Sequence, residues 1–124
     1  MDRFINNGDG TVTDSVTGLI WQQEDDGIER TWYKANEYAK SLNLGGKTDW
    51  RLPTVQELGT IVDYGRYNPA IDPIFSNVKP SVYCSGTTDA RHTRDAWIVD
   101  FFCGYVSYDS KFLNYYVRCV RGGK

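Results

Sequence analysis

The stretch "DFFCGYVSYDSKFLNYYVRCVRGG", Asp100 to Gly123, decides how this chain is read. Residues Tyr116, Arg118 and Val120 alternate with Val117, Cys119 and Arg121, the period-two pattern of a strand. Upstream, Trp97, Val99 and Phe101 share one face, and Ile98, Asp100 and Phe102 share the other. One set must fill a core. Yet Ile98, Phe102, Cys103, Phe112 and Leu113 then fall in or near connections, where large apolar groups reduce solubility unless they pack or bind something.

The rest of the sequence places this segment at the end of a single α+β domain. A length of 124 residues fits one domain with a real core. Aromatics make up 15% of it, and Gly is abundant at twelve while helix formers are scarce, so a helical bundle is excluded. "RFINNGDGTVTDSVTGLIWQ" reads as three short strands: Phe4-Ile5, Thr11 to Thr13, and Leu19 to Trp21. They are separated by Asn- and Gly-rich turns. Thr31 is a plausible N-cap for a helix whose Ala35, Tyr38, Ala39 and Leu42 recur at helical spacing, with Gly45-Gly46 as its stop. Thr54 and Glu57 have the spacing of a capping box. They open a second helix with an apolar stripe of Val55, Leu58, Ile61 and Val62, closed at Gly65. The irregular "RYNPAIDPIFSNVKPS" packs through Ile71, Ile74 and Phe75. Strands follow at Val82 to Ser85, Ala96 to Phe101, Tyr105 to Tyr108 and Tyr116 to Arg121. "CGYV" and "SYDSKFLN" are their connections. Strands first, helices in the middle and strands last make an α+β fold.

Charge and cysteine usage narrow the function. A net charge of −2 argues against a nucleic-acid footprint. No run of apolar residues is long enough to insert in a membrane, and no basic-then-apolar secretory signal follows Met1. Cys84, Cys103 and Cys119 are an odd set with no C-x-x-C pair, so one disulfide or none is open, and zinc is disfavoured. Cys119 reads as a buried strand residue. His92 is the only histidine, and no spacing gives it a nucleophilic cysteine with an orienting third group. Asp9, Asp14, Asp25 and Asp26 lack the EF-hand spacing, and turn chemistry is their simpler account. No cofactor or catalytic residue is assigned. Asp49 and Arg51 of "DWRLPT" read as a structural ion pair or a turn clamp before the second helix.

Six stretches together carry a resemblance: "GDGTVTDSVTGLIW", "DWRLPTVQEL", "NPAID", "AWIVDF", "GYV" and "YYVRCVRGG". In this order, over nearly the full chain, they resemble the C-terminal domain of Legionella collagen-like protein, a bacterial and viral family with a C-type-lectin-like fold. The resemblance implies two helices and a small, twisted, mainly antiparallel sheet with long ordered loops. It carries over neither the paired active-site cysteines of the related formylglycine-generating enzymes nor the calcium-dependent sugar motifs of lectins. A narrower likeness is to the variable proteins of diversity-generating retroelements, in which adenines of a template repeat are randomised. Mutating the first two bases of an AAC codon reaches neither Glu, Gln, Lys, Met nor Trp. From Thr87 to Tyr116 the sequence has no Glu, Gln or Met, and its Lys111 and Trp97 match the family's motif. The departures from that motif are Ile98, Phe102, Cys103, Ser107, Asp109, Ser110, Phe112, Leu113 and Asn114, all within the reachable set.

This reading predicts a variable region over about 87–116 that recognises a protein or another macromolecule of a cell or virion surface. The candidate contacts are those departures with Arg91, His92, Tyr105 and Tyr108. Phe102, Phe112 and Arg91 are the expected anchors, because aromatic and Arg side chains supply most interface hot spots. Tyr105, Tyr108 and Tyr115 either add contact area at low entropy cost or pack between strands. The alternative is an adhesin module with one fixed ligand, such as a sulfated glycan or matrix component.

Overall fold

A computed structural model describes residues 2–122. The fold is α+β and C-type-lectin-like, built on two antiparallel sheets rather than the one expected. Strands β1 (Phe4–Asn6), β2 (Thr11–Asp14) and β3 (Leu19–Gln22) form the expected meander. The C-terminal β7 (Val120–Gly122) joins it, giving the order β1-β2-β3-β7. The second sheet has the order β4-β5-β6, from Val82–Thr88, Asp95–Asp100 and Tyr105–Ser110. β7 pairs with β3 at the edge opposite β1, so the last third is clamped into the first.

Both helices start where their caps predict. Helix α1 (Trp32–Ser41) is capped by Thr31, whose side chain accepts the Lys34 N–H. It stops at Leu42, before Gly45-Gly46, which sit in a separate turn between Leu44 and Lys47. Helix α2 (Val55–Thr60) has the full capping box of Thr54 and Glu57. It is one and a half turns long, ending before Ile61 instead of at Gly65. Arg51 forks onto Glu57 at 2.7 and 2.9 Å, and Asp49 accepts Arg121 Nε at 2.6 Å. "DWR" is thus a double clamp on α2 and the C-terminal strand, and Asp49 and Arg51 each pair elsewhere. The Arg51 guanidinium holds the Glu57 carboxyl below its ordinary range. Its contribution to stability is therefore present at neutral pH and lost as pH falls through that depressed value.

Strands β4 and β5 of the second sheet are covered on both faces. The cross-strand pair Tyr83–Val99 lies in one core cluster with Trp21, Leu58, Phe101 and Val120. The next pair, Cys84–Ile98, lies in another with Ala35, Trp50, Leu52, Val117 and Cys119. Ile98 is only 7% exposed, which removes it from the predicted contact surface. Burying an Ile side chain is worth roughly 1.5–3 kcal/mol, so the central strand keeps it inside.

Candidate functional site

Strand β6 and its flanking turns carry most of the predicted contact residues. Tyr105, Ser107, Tyr108, Asp109 and Ser110 belong to the strand itself, which runs two residues past the strand expected over Tyr105 to Tyr108. All six residues of β6 are exposed or half-exposed. The strand pairs residue for residue with β5, from Asp95–Ser110 to Asp100–Tyr105.

Fixed groups hold the turn at the start of β6. Phe101 is buried, while Phe102 beside it is 45% exposed. The Phe102 N–H donates to Asp100 Oδ1, and its carbonyl accepts the Asn68 N–H at 2.7 Å. Gly104 closes the turn by donating to Asp100 O. Cys103 is exposed, and Phe102 meets the exposed Tyr67 ring edge-on at 6.5 Å.

Past the far end of β6, Lys111 is buried, with Nζ bonded to Thr88 Oγ1 at 2.9 Å and lying 4.1 Å from the Trp32 ring. Next to it Phe112 and Leu113 are 64% and 50% exposed, and Asn114 is exposed too. Phe112 packs against Tyr33 of α1. Tyr115 turns inward and donates its hydroxyl to Ser110 O, so of the three tyrosines considered it alone is core. The two apolar turns sit at opposite ends of a six-residue strand, about 17 Å apart at 3.4 Å per residue.

Between them lies a cationic and aromatic cluster. Arg91 is anchored by the buried Asp89, and its guanidinium sits 5.0 Å from the Tyr108 ring. His92 stacks on the same ring from the loop side, and Trp97 meets it edge-on at 5.7 Å across the strands. Sequence reasoning named Arg91, His92 and Tyr108 but treated Trp97 only as scaffold. Tyr33 and Tyr67 were missed because they come from distant segments. Their only sequence signal was the aromatic excess.

The carboxylates singled out in the sequence have separate partners. Asp9 accepts from Thr11, Asp14 from Arg3, Asp25 from Arg118, and Asp26 from Arg30. Among the described residues no three His, Cys, Asp or Glu side chains converge on a metal-sized site. An open groove of about 630 Å³ lined by Tyr67, Pro69, Ile71, Pro73, Phe75 and Val78 lies beside the Phe102 turn. None of the sequence-derived contact residues lines it.

All three cysteines are free. Burial pushes the Cys84 and Cys119 thiols up to about 12, which leaves them protonated and unreactive at neutral pH. A thiol reagent is therefore expected to label one cysteine of the native protein, Cys103, and all three after denaturation. Mass spectrometry of the labelled peptides checks this, and fast labelling of Cys84 or Cys119 would show that the second core opens readily. Cys103→Ser is expected to leave the thermal midpoint unchanged.

A search among curated proteins returned no match. Residues 10–121 match the family described as the Lcl C-terminal domain. That span contains β2 to β6, most of β7, both helices and the whole candidate surface, so the match and the fold describe one object: the chain belongs to the Lcl C-terminal domain family.

Proposed function

We propose that the domain is a recognition module that displays a retroelement-diversified surface to a protein or other macromolecule of a cell or virion surface. One observation carries the reading. Exposed Phe102, Cys103, Phe112 and Leu113 are interleaved with neighbours that the scaffold cannot spare: buried Phe101, Gly104, Lys111 and Tyr115. Side chains that contribute little to the core are free to differ from one copy to the next. With Ile98 in the core, the display set reduces to Phe102, Cys103, Ser107, Asp109, Ser110, Phe112, Leu113 and Asn114. Arg91, His92, Tyr105 and Tyr108 border it.

Sequencing the locus tests the origin of this surface. A near-copy of the segment encoding Ala96 to Arg121, beside a reverse transcriptase and differing mainly at adenines, is the expected result. Absence of such a template would hand the surface to the fixed-ligand adhesin. Mutation tests the surface itself. Phe112→Ser with Leu113→Ser should change stability by no more than about 0.5 kcal/mol, as for other exposed sites. Against a ligand selected on the native domain, the same pair should cost tenfold or more in Kd, about 1.4 kcal/mol or more. Unchanged affinity would exclude that turn from the site.

A further inference from the structure

The second sheet has two edges, and they are treated differently. On the outer side of β4, the Cys84 N–H donates to Tyr116 O at 3.2 Å, and the Tyr116 N–H to Val82 O at 3.0 Å. The Gly86 N–H is taken by Pro53 O. Among the described residues, no strand lies beyond β6.

The register shows which backbone groups β6 turns outward. The Lys111 N–H donates to Arg94 O at 2.8 Å. Bonding alternates along an antiparallel pair, so Tyr105, Ser107 and Asp109 bond to β5, while Val106, Tyr108 and Ser110 face away. Ser110 is already occupied: its N–H donates to Asp109 Oδ1, and its carbonyl accepts the Tyr115 hydroxyl. The N–H and C=O of Val106 and Tyr108 are left as an open row. This edge lacks the usual guards, having no proline, no lysine and no bulge in its pairing.

We propose that β6 pairs antiparallel with β6 of a second copy of this chain, about a two-fold axis through Ser107. In that register Val106 and Tyr108 of one copy exchange both backbone bonds with Tyr108 and Val106 of the other. This makes four bonds in all and satisfies the whole open row. The side chains suit it. Ser107 meets its own mate at a close, non-hydrogen-bonded position, where a small group fits. Val106 faces an aromatic ring, a favourable cross-strand pair. Each Asp109 lies opposite a Tyr105 hydroxyl that can donate to it. The two Asp109 carboxylates stand about 13 Å apart, beyond the screening length of about 8 Å at physiological salt. The alternative registers fail: moving by two residues sets Val106 against the occupied Ser110, or Tyr108 against Gly104 in the turn. Two sheets would join into one of six strands, and the same register sets the Phe102 turn of each copy beside the Phe112 turn of the other. The edge is short, and interfaces below about 1,200 Å² are weak, so the dimer forms at high concentration or when copies are held together.

Sedimentation velocity from micromolar to about 1 mM tests the pairing, with dimer expected to grow across that range. Tyr108→Pro deletes an outward N–H, a loss tolerable on an edge strand, together with the ring that Arg91, His92 and Trp97 pack on, and should abolish the dimer. Should that variant not fold, Ser107→Glu gives the same readout. It sets like charges across the axis and should weaken the dimer by roughly fivefold, with mixed Ser107→Glu and Ser107→Lys chains restoring it. In a Cys103→Ser background, Ser107→Cys should form an intermolecular disulfide on mild oxidation, since opposed non-bonded positions lie about 4.5 Å apart at Cα. Asp109→Cys should not. A chain that stays monomeric throughout overturns the proposal and leaves the edge to a strand of a different protein. So does a dimer that Ser107→Glu leaves intact and Ser107→Cys does not link.

Discussion

Arg118→Met should lower stability by about 3–5 kcal/mol, the range for breaking a buried ion pair on one side. Arg118 is 1% exposed. Its Nη1 donates to Gln22 O at 2.6 Å and Gln23 O at 2.5 Å, and its Nη2 to Asp25 Oδ2 at 3.2 Å. The guanidinium lies over the Phe75 ring, 5.4 Å from its centre. Met keeps most of the volume but leaves the buried Gln22 carbonyl without this donor, while the half-buried Gln23 carbonyl keeps the Ser76 N–H. Asp25 then retains Lys79 at 3.6 Å, the Gly27 N–H and the Tyr83 hydroxyl. The Tyr83 hydroxyl, pushed up chiefly by its burial, stays a neutral donor. At about 4 °C per kcal/mol for a domain of this size, the thermal midpoint should fall by about 12–20 °C. A double-mutant cycle isolates the cause: Asp25→Asn should cost less in the Arg118→Met background than alone. Additive losses would show that the pair is not coupled.

Gly104→Ala is expected to lose about 3 kcal/mol, or about 12 °C. Two costs combine. Gly104 has φ of +88°, where a side chain costs roughly 1–2 kcal/mol. A Cβ there would stand 2.5 Å from Val62 Cγ1 and 2.9 Å from Tyr64 Cε1, overpacking worth about 1–3 kcal/mol. Gly59 is the control. It lies inside α2 with nothing within 4 Å of a Cβ, so Gly59→Ala should be neutral or stabilising, by up to about 1 kcal/mol. Equal losses at the two glycines would refute the steric account.

What the sequence made legible follows from where local chemistry decides. The Thr31 and Thr54 caps marked both helix starts because a hydroxyl three residues before a free N–H acts locally. The helix ends were misplaced because they are set by packing. The alternation around Trp97 to Phe102 was visible, but alternation identifies an outside face only when one face is dry. β5 is buried on both faces, so Ile98 was misassigned. β6 was expected to stop at Tyr108 because Asp and Ser favour turns, and pairing of Asp109 and Ser110 with β5 overrides that preference. Arg118 left no trace as a core residue, since an arginine reads as surface until its partners, more than ninety positions away, are in place.

The turn at Phe102 and Cys103 is shaped by main-chain bonds to Asn68 and Gly104 and by the side chain of Asp100, none of which requires anything of the two side chains it displays. Surface chemistry and backbone path are thereby uncoupled, which is what a laboratory library demands of its scaffold. Randomising positions 102, 103, 112 and 113 would yield clones that differ in what they hold and not in whether they fold. With Cys84 and Cys119 unlinked, such clones need no oxidising compartment, so affinity reagents drawn from this frame could be expressed and used inside the reducing cytosol.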